Sequence, residues 1–453
     1  MSNQTMNAQA AKRLRQVRWY QEPRWQRLGG LLALALLLAM VTGVQGTNSD
    51  PFYAIKENLT GVGLWVYVGI ALLIWVAREF FSEPVKQAGA TAKQAKGTLV
   101  DGPLGQIKQL LAGQPRLRWA LMAAVAALAV WGPMGLDRYW QTVLVDQVMI
   151  FVLVAIGLNV VIGWAGMLDL GFIAFFAIGA YSAAYWTGAL PVAPPIELNN
   201  FAVIPLAVIT CLVAGLLLGA PTLRLRGDYL AIVTLGFHEI VYLTAKNLND
   251  VTGGTSGVKV DRWEIGGYEF RIVDQMPFYW VLLAFAAITV FLFVRLEHSK
   301  VGRAWTAVRE DEIAAASTGV DTVRYKLMAF AIGASTSGLA GVAYASKVGY
   351  INSENFVILL SILVLAYVIF GGMGSLPGVI FGAAFLVWLP EFLRDYVDPK
   401  DRHMYLGALL VIMMIYRPQG VIPSKRRQRE LKMAETGSAE AEAEATGTGG
   451  KHS

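Results

Sequence analysis

The sequence predicts an all-α protein that crosses a membrane many times, and three observations carry that reading. Only 15% of the 453 residues are charged, against roughly 25% in soluble proteins. The mean hydropathy is +0.49. The apolar residues also fall in blocks, about twelve of them, most close to the ~20 residues a helix needs to span ~30 Å of hydrocarbon. A soluble enzyme, a nucleic-acid-binding domain and a disordered chain are excluded, and the partner this composition calls for is a lipid bilayer.

Residues 1–27 carry Lys12, Arg13, Arg15, Arg18, Arg24 and Arg27 against the single acid Glu22. An apolar run at 28–44 follows. A basic stretch ahead of such a run can be a secretory signal, but this one is long and lacks an A-x-A cleavage site, which favours a retained helix. A second block at 61–77 closes a two-helix N-terminal unit, 1–77. The polar linker 78–118 holds Lys86, Lys93, Lys96, Lys108 and Arg116 and separates this unit from the main body, 119–422. The body's blocks lie at 119–133, 142–164, 166–190, 201–219, 229–244, 277–296, 327–345, 356–374, 378–389 and 405–416. The tail, 423–453, has a basic cluster and then an Ala/Glu/Gly run that reads as disordered.

Parity orients the chain. Twelve crossings from a cytoplasmic N-terminus put the N-terminus, the 78–118 linker, the Arg224–Arg226 turn, the 297–326 loop and the tail inside, and these are the segments richest in Lys and Arg. The loop 249–276 lands outside with three basic and five acidic residues. That agrees with the positive-inside rule, which also accounts for the net charge of +6.

Metal and nucleotide chemistry find no residues here. The single cysteine, Cys211, has no partner for a disulfide, and the histidines at 238, 298, 403 and 452 have no ligand spacing. The late Gly450–Lys451 has Ala445 where a Walker A loop needs its first Gly and His452 where it needs Ser or Thr. No catalytic residue, cofactor or metal ligand is therefore assigned. Energy for any transport falls to another subunit, because Asp146, Asp169 and Glu239 are too scattered to form a carboxylate relay.

Five segments nevertheless stand out. The loop 297–326 is too polar for the membrane, and good helix formers at 307–317 predict a short helix bounded by Gly302 and Gly319. It is either a solvated connection or a docking helix that receives motion from a cytoplasmic partner. The glycines of 157–181 either pack helices closely or permit a broken, re-entrant backbone, with Asn159 and Asp169 as the polar groups at membrane depth. In 223–241, His238 and Glu239 lie two-thirds of the way across, as a functional pair or as residues near the outer interface. The turn cluster NDVTGGTSGV at 249–258 is a surface turn, or a set of backbone amides able to hold a carboxylate. GGMGSLPG at 371–378 reads as a tight hairpin between two helices.

Taken together, GLNVVIGWAGMLDLGFIAFFAIGAY, LRLRGDYLAIVTLGFHEIV with VTGG after it, GRAWTAVREDEIAAASTGV, GGMGSLPG and MMIYRPQG resemble the LivM permeases of branched-chain amino acid ABC importers, in the family's order and over roughly residues 118–425. The two-helix N-terminal unit is similar to the extension on longer LivM proteins of Gram-negative bacteria. The resemblance implies the LivM/LivH permease fold, an inner-membrane location, and a set of partners: a LivH-like second permease, two cytoplasmic ATPases and a periplasmic amino-acid-binding protein. It also implies that 302–326 is a coupling loop similar to E-A-A-x-x-x-G. Ala314, Ala315 and Gly319 match that spacing; Ile313 occupies the Glu position and Glu312 sits one residue early. The coupling residues expected on this basis are Arg303, Arg309, Glu310, Asp311, Glu312, Ala314, Ala315 and Gly319. The translocation path expected from the membrane polar groups is Asn159, Asp169, His238 and Glu239. A urea- or amide-importing permease of the same superfamily, a stand-alone proton-coupled transporter using His238 and Glu239, and a membrane scaffold are the competing readings.

Overall fold

The computed structural model describes Val68 and residues 129–424, apart from 200, 223–227, 266, 272–273, 396–397 and 399–400. The chain divides into two compact units, Met1–Val125 and Ala126–Ser453, and the description concerns the second. The segments expected at 28–44 and 61–77, the 78–118 linker, the start of the 119–133 block, the Arg224–Arg226 turn and the tail from 425 onward lie outside the described residues.

Each apolar run of the body nucleates a helix because its backbone polar groups can be satisfied in lipid only within the segment. Helix α1, Arg138–Trp164, is buried along most of its length and is wound wider than an α-helix at Leu144–Met149 and Val160–Trp164. Helix α2 is Ile173–Trp186, α3 Ile204–Thr222 and α4 Asp228–Asn247. After a connection containing strands β1 (Val258–Lys259), β2 (Glu264–Ile265) and β3 (Tyr268–Glu269) comes α5, Gln275–Glu297. Two short helices, α6 (Lys300–Glu310) and α7 (Glu312–Ser317), precede the long α8, Thr322–Val348. Strand β4 (Tyr350–Ile351) pairs antiparallel with β1, and β2 pairs with β3. The last three helices are α9 (Ile358–Gly371), α10 (Leu376–Phe392) and α11 (Arg402–Tyr416).

Helices α1 and α8 form the centre, with α2 and α3 packed on α8 and the α9–α10 pair on α1. Between helices in lipid, packing contacts and small residues replace the hydrophobic drive. Accordingly α2 meets α8 at Gly179 and Gly338, where a Cβ on Gly179 would strike the Gly338 carbonyl. The outward faces are apolar: Leu217 of α3, Ile240 of α4, Phe291 of α5 and Ile415 of α11 are all exposed. Such continuous apolar surface fits a bilayer or another membrane chain. The helices α1, α3, α5 and α8, and the 3-10 turn plus α9 (Ser353–Gly371), are long and apolar enough to cross a membrane.

Two expectations are corrected. The block at 166–190 is helical only over Ile173–Trp186; residues 165–172 cross in non-helical backbone, bent at Gly166 with φ +73°. The single helix expected at 307–317 is two helices. The first starts well before residue 307, capped by Ser299 rather than bounded by Gly302, and Asp311 in extended conformation (φ −153°, ψ 109°) breaks it from the second. GGMGSLPG forms the turn between α9 and α10, with Ser375 capping α10 through the Gly378 amide at 3.3 Å.

Candidate functional site

The polar segment between α5 and α8 is built as a capped unit rather than a floppy loop. Ser299 Oγ accepts from the amides of Val301 (3.1 Å) and Gly302 (3.4 Å), which starts α6. Asp311 Oδ1 accepts from Ile313 (2.8 Å) and Ala314 (3.0 Å), which starts α7. At the end of α7 the Val320 amide donates to the Ala315 carbonyl at 3.1 Å and the Gly319 amide to the Ala316 carbonyl at 3.0 Å. This double closure needs a left-handed residue, and Gly319 supplies it with φ +87°. Asp321 then caps α8 through the Arg324 amide at 3.1 Å.

One face of α6 is buried: Ala304, Trp305 and Val308. Trp305 stacks on Trp164 at the end of α1, ring centroids 6.1 Å apart and 20° between planes, and its Nε1 donates to the Tyr325 carbonyl at 2.6 Å. Arg309 Nη1 donates to the Gly163 carbonyl, and the Arg309 stem lies against Gly166. Glu312 meets Lys326 at 2.6 Å, with Lys326 almost fully buried. Of the expected coupling residues, Glu312 and Ala315 face the protein, and Arg309, though exposed, reaches back to bond the Gly163 carbonyl. Arg303, Glu310, Asp311, Ala314 and Gly319 are exposed, and Arg303 Nη1 donates to the His298 carbonyl at 3.3 Å. Ile313, at the position where the resembled pattern has Glu, is 68% exposed. An aliphatic side chain held out beside acids on a doubly capped helix is suited to a protein partner.

Directly behind this unit lies Asn159, fully buried, whose Oδ1 accepts from the Gly374 amide at 2.8 Å. Asn159 thus holds the turn Gly371–Gly374 against the end of α1, beside the Gly163 carbonyl that Arg309 bonds. Asp169 is buried in the non-helical segment; its Oδ1 accepts from the Gly171 amide at 2.8 Å, and its Oδ2 has no hydrogen-bond partner among the described residues. The segment lies hard against α4: the Leu170 amide donates to Thr234 Oγ1 at 3.1 Å, and a Cβ on Gly171 would strike the Thr234 carbonyl and come within 3.3 Å of His238 Cβ. Both ring nitrogens of buried His238 lack a hydrogen-bond partner among the described residues. Asp169, Thr234 and His238 are therefore buried close together, around Thr234. Glu239, half-buried, points about 100° away from His238 around the helix.

Thr234, Trp164, Trp305 and Lys326 did not stand out in the sequence. Only Thr234 left a trace, four residues before His238 and hence on its face of α4. Among the described residues no group of three His, Cys, Asp or Glu side chains could hold a metal ion.

A family profile described as branched-chain amino acid transport system / permease component matches residues 142–416. The chain is 36% identical over 439 residues to the high-affinity branched-chain amino acid transport system permease protein LivM of Escherichia coli strain K12, covering 88% of this chain and 97% of that one. It is 28% identical over 284 residues to the probable branched-chain amino acid transport permease protein LivM of Methanocaldococcus jannaschii, covering 57% and 81%. It is 26% identical over 164 residues to the E. coli permease protein LivH, covering 36% and 52%. No solved structure matches the chain. With more than half its length matched by the profile and nearly all of the E. coli LivM protein covered, the chain belongs to the branched-chain amino acid transport permease family.

Proposed function

We propose that the chain is a transmembrane permease subunit of an ATP-driven importer that carries leucine, isoleucine and valine across the bacterial inner membrane, with ATP hydrolysis supplied by separate subunits. The observation that carries the reading is the family match over the same residues that build the capped α6–α7 pair. The chain itself catalyses no reaction. Its partners are a LivH-like permease, two cytoplasmic ATPases and a periplasmic binding protein. The similarity to LivH supports pairing of two related permeases.

The architecture proposed is about twelve membrane segments, with both termini cytoplasmic. A two-helix unit (1–77) and a linker (78–118) precede the permease core (119–422), and a cytoplasmic tail (423–453) follows it. The E. coli relative covers 88% of the chain, a share that residues 119–453 alone cannot supply, which supports an N-terminal unit shared with the longer relatives.

In this reading Ile313, Ala314, Glu310 and Asp311 form the face that sits against an ATPase. Closure of the ATPases displaces α6 and α7. The Trp305–Trp164 stack and the Arg309–Gly163 bond pass that displacement to the end of α1. The Asn159–Gly374 bond shares it with α9 and α10. The non-helical segment that carries Asp169 begins at that same end, so its seat against Thr234 and His238 shifts with it. Asp169 and His238 are the polar groups that the path exposes to the substrate's charged ends as the seat opens, with Asn159 and Glu239 flanking them.

The test is leucine uptake into proteoliposomes, with luminal ATP and an imposed proton gradient as separate drivers. The full assembly is expected to import leucine with ATP only. Ile313→Asp should lower uptake at least tenfold, while Ile313→Leu retains it. Uptake by this chain alone on a proton gradient overturns the proposal.

A further inference from the structure

At the end of the bundle opposite to α6 and α7, an apolar groove of about 350 Å³ opens between α1 and α10. Trp140 and Leu144 of α1 and Trp388 and Phe392 of α10 form its walls, over a floor of Val143 and Val148. The α1 residues recur at three and four positions and so share one helix face. From Trp140 to Val148 that face runs ~12 Å along the axis. Trp388 lies 6.1 Å from Trp140 and stacks on Phe392 at 4.7 Å between ring centroids, so flat aromatic surfaces line the end nearest the helix termini. A slot with no charged group in its lining, opening beside aromatic rings, suits a hydrocarbon chain entering from a membrane interface, where Trp collects.

A cation stands at that same end. Tyr139 meets Trp140 edge-on with ring centroids 5.4 Å apart, and the Arg394 guanidinium lies 5.3 Å from the Tyr139 ring centre. Arg394 Nη1 donates to Tyr139 Oη at 2.9 Å and to Glu391 Oε1 at 3.3 Å, so Nη2 and Nε take part in neither bond. Arg394 is 52% exposed and Glu391 18%. The carboxylate thus anchors the guanidinium from within, and the cation stands outermost. A planar guanidinium fork held in this way matches a phosphate. Asp137 and Arg138, at the start of α1, are also exposed and of opposite sign, so together they add no net charge to the rim.

We infer that this groove seats a phospholipid: one acyl chain lies along Trp140, Leu144 and Trp388, and the phosphodiester rests on Arg394. The site goes beyond the importer reading and does not depend on it. A diacylglycerol would fill the same groove but leave Arg394 unmatched, so the phosphate decides between the two. Leu144 and Val148 belong to the wide-wound stretch Leu144–Met149, so the seated chain packs on the central helix where its hydrogen bonding departs from the α-helical pattern. The bilayer is then a ligand of α1 and not only its solvent.

Photo-crosslinking tests this directly. The full-length chain, purified with the subunits that accompany it, is reconstituted in phosphatidylcholine vesicles doped with one of two probes. One is a phosphatidylcholine and the other a diacylglycerol, each with a diazirine in one acyl chain. After illumination, adducts on this chain are mapped by mass spectrometry. The ratio of phospholipid to diacylglycerol adducts at Trp140, Leu144 and Trp388 should exceed by about tenfold the ratio on the outward faces of α3 and α5, at Leu217 and Phe291. Arg394→Gln should bring the groove's ratio down to that of those faces, and Leu144→Trp should remove adducts of both probes from the groove. If Arg394→Gln fails to assemble, the two probes on the wild-type chain decide alone. Equal ratios at the groove and on the outward faces overturn the inference. So does the absence of either adduct from the groove, as when another membrane chain covers it, and so does loss of the phospholipid preference in excess inorganic phosphate, which would make Arg394 a site for a free anion.

Discussion

At the end of the bundle that carries α6 and α7, several contacts end on main chain: Arg309 holds the Gly163 carbonyl, Asn159 holds the Gly374 amide, and residues 421–422 lie on Phe370 and Gly371 through bonds of 2.9 and 3.0 Å. At the opposite end side chains meet side chains. Lys347 approaches Asp146, Lys246 bonds Glu354, and Tyr139 and Arg394 share Glu391. A contact onto main chain has a rotamer on one side only, and the 421–422 contacts have none, so a displaced helix tends to carry its neighbour along. A side-chain contact can be exchanged for another at modest cost. The first end is tied largely onto main chain, and the second is held by side-chain pairs that can part and re-form.

The largest expected effect tests the side-chain end. Lys347 is fully buried, its Nζ 3.5 Å from Asp146 Oδ1 and 4.8 Å from the Phe278 ring centre. Lys347→Met leaves a carboxylate without its cation and should cost about 3–5 kcal/mol, most of it recovered by adding Asp146→Leu. Thermal unfolding of the purified assembly in a double-mutant cycle measures the recovery. If the double variant is no better than the single, the pair does not hold this end. A smaller loss is expected at the other end. Asn159→Leu strips the buried Gly374 amide of its acceptor, at about 1–3 kcal/mol, and should reduce uptake per ATP hydrolysed. Full coupling in that variant would show that the α9–α10 turn takes no part in transmission. Smallest of all is Lys246→Gln, in a pair whose partners are 37% and 53% exposed; no measurable shift in unfolding is expected.

The helices were legible because hydropathy records burial in lipid directly. The block expected at 277–296 is α5, and that at 327–345 is the core of α8, whose ends run further because Thr322–Lys326 and Ser346–Val348 extend it with less apolar residues. Hydropathy says nothing about backbone path, however. Met167, Leu168 and Leu170 continue an apolar run through 165–172 even though the chain there is not helical. The break at Asp311 was hidden for a related reason, since its flanks are strong helix formers and the cap itself is one residue. Asn159, Asp169 and His238 stood out as polar residues among apolar ones. Their neighbours Gly374 and Thr234 did not, because only the folded chain brings them near.

The wide turns at Leu144–Met149 and Val160–Trp164 give α1 one residue more per turn than an α-helix needs. Each is a slack link in an otherwise taut screw. If such a turn migrates along the helix by swapping one carbonyl partner at a time, every residue it passes rotates by about 100° and advances ~1.5 Å. No hydrogen bond is lost overall. The central helix can thus re-aim its side chains while both of its ends stay anchored, a travelling crease where a rigid rod would have to tilt.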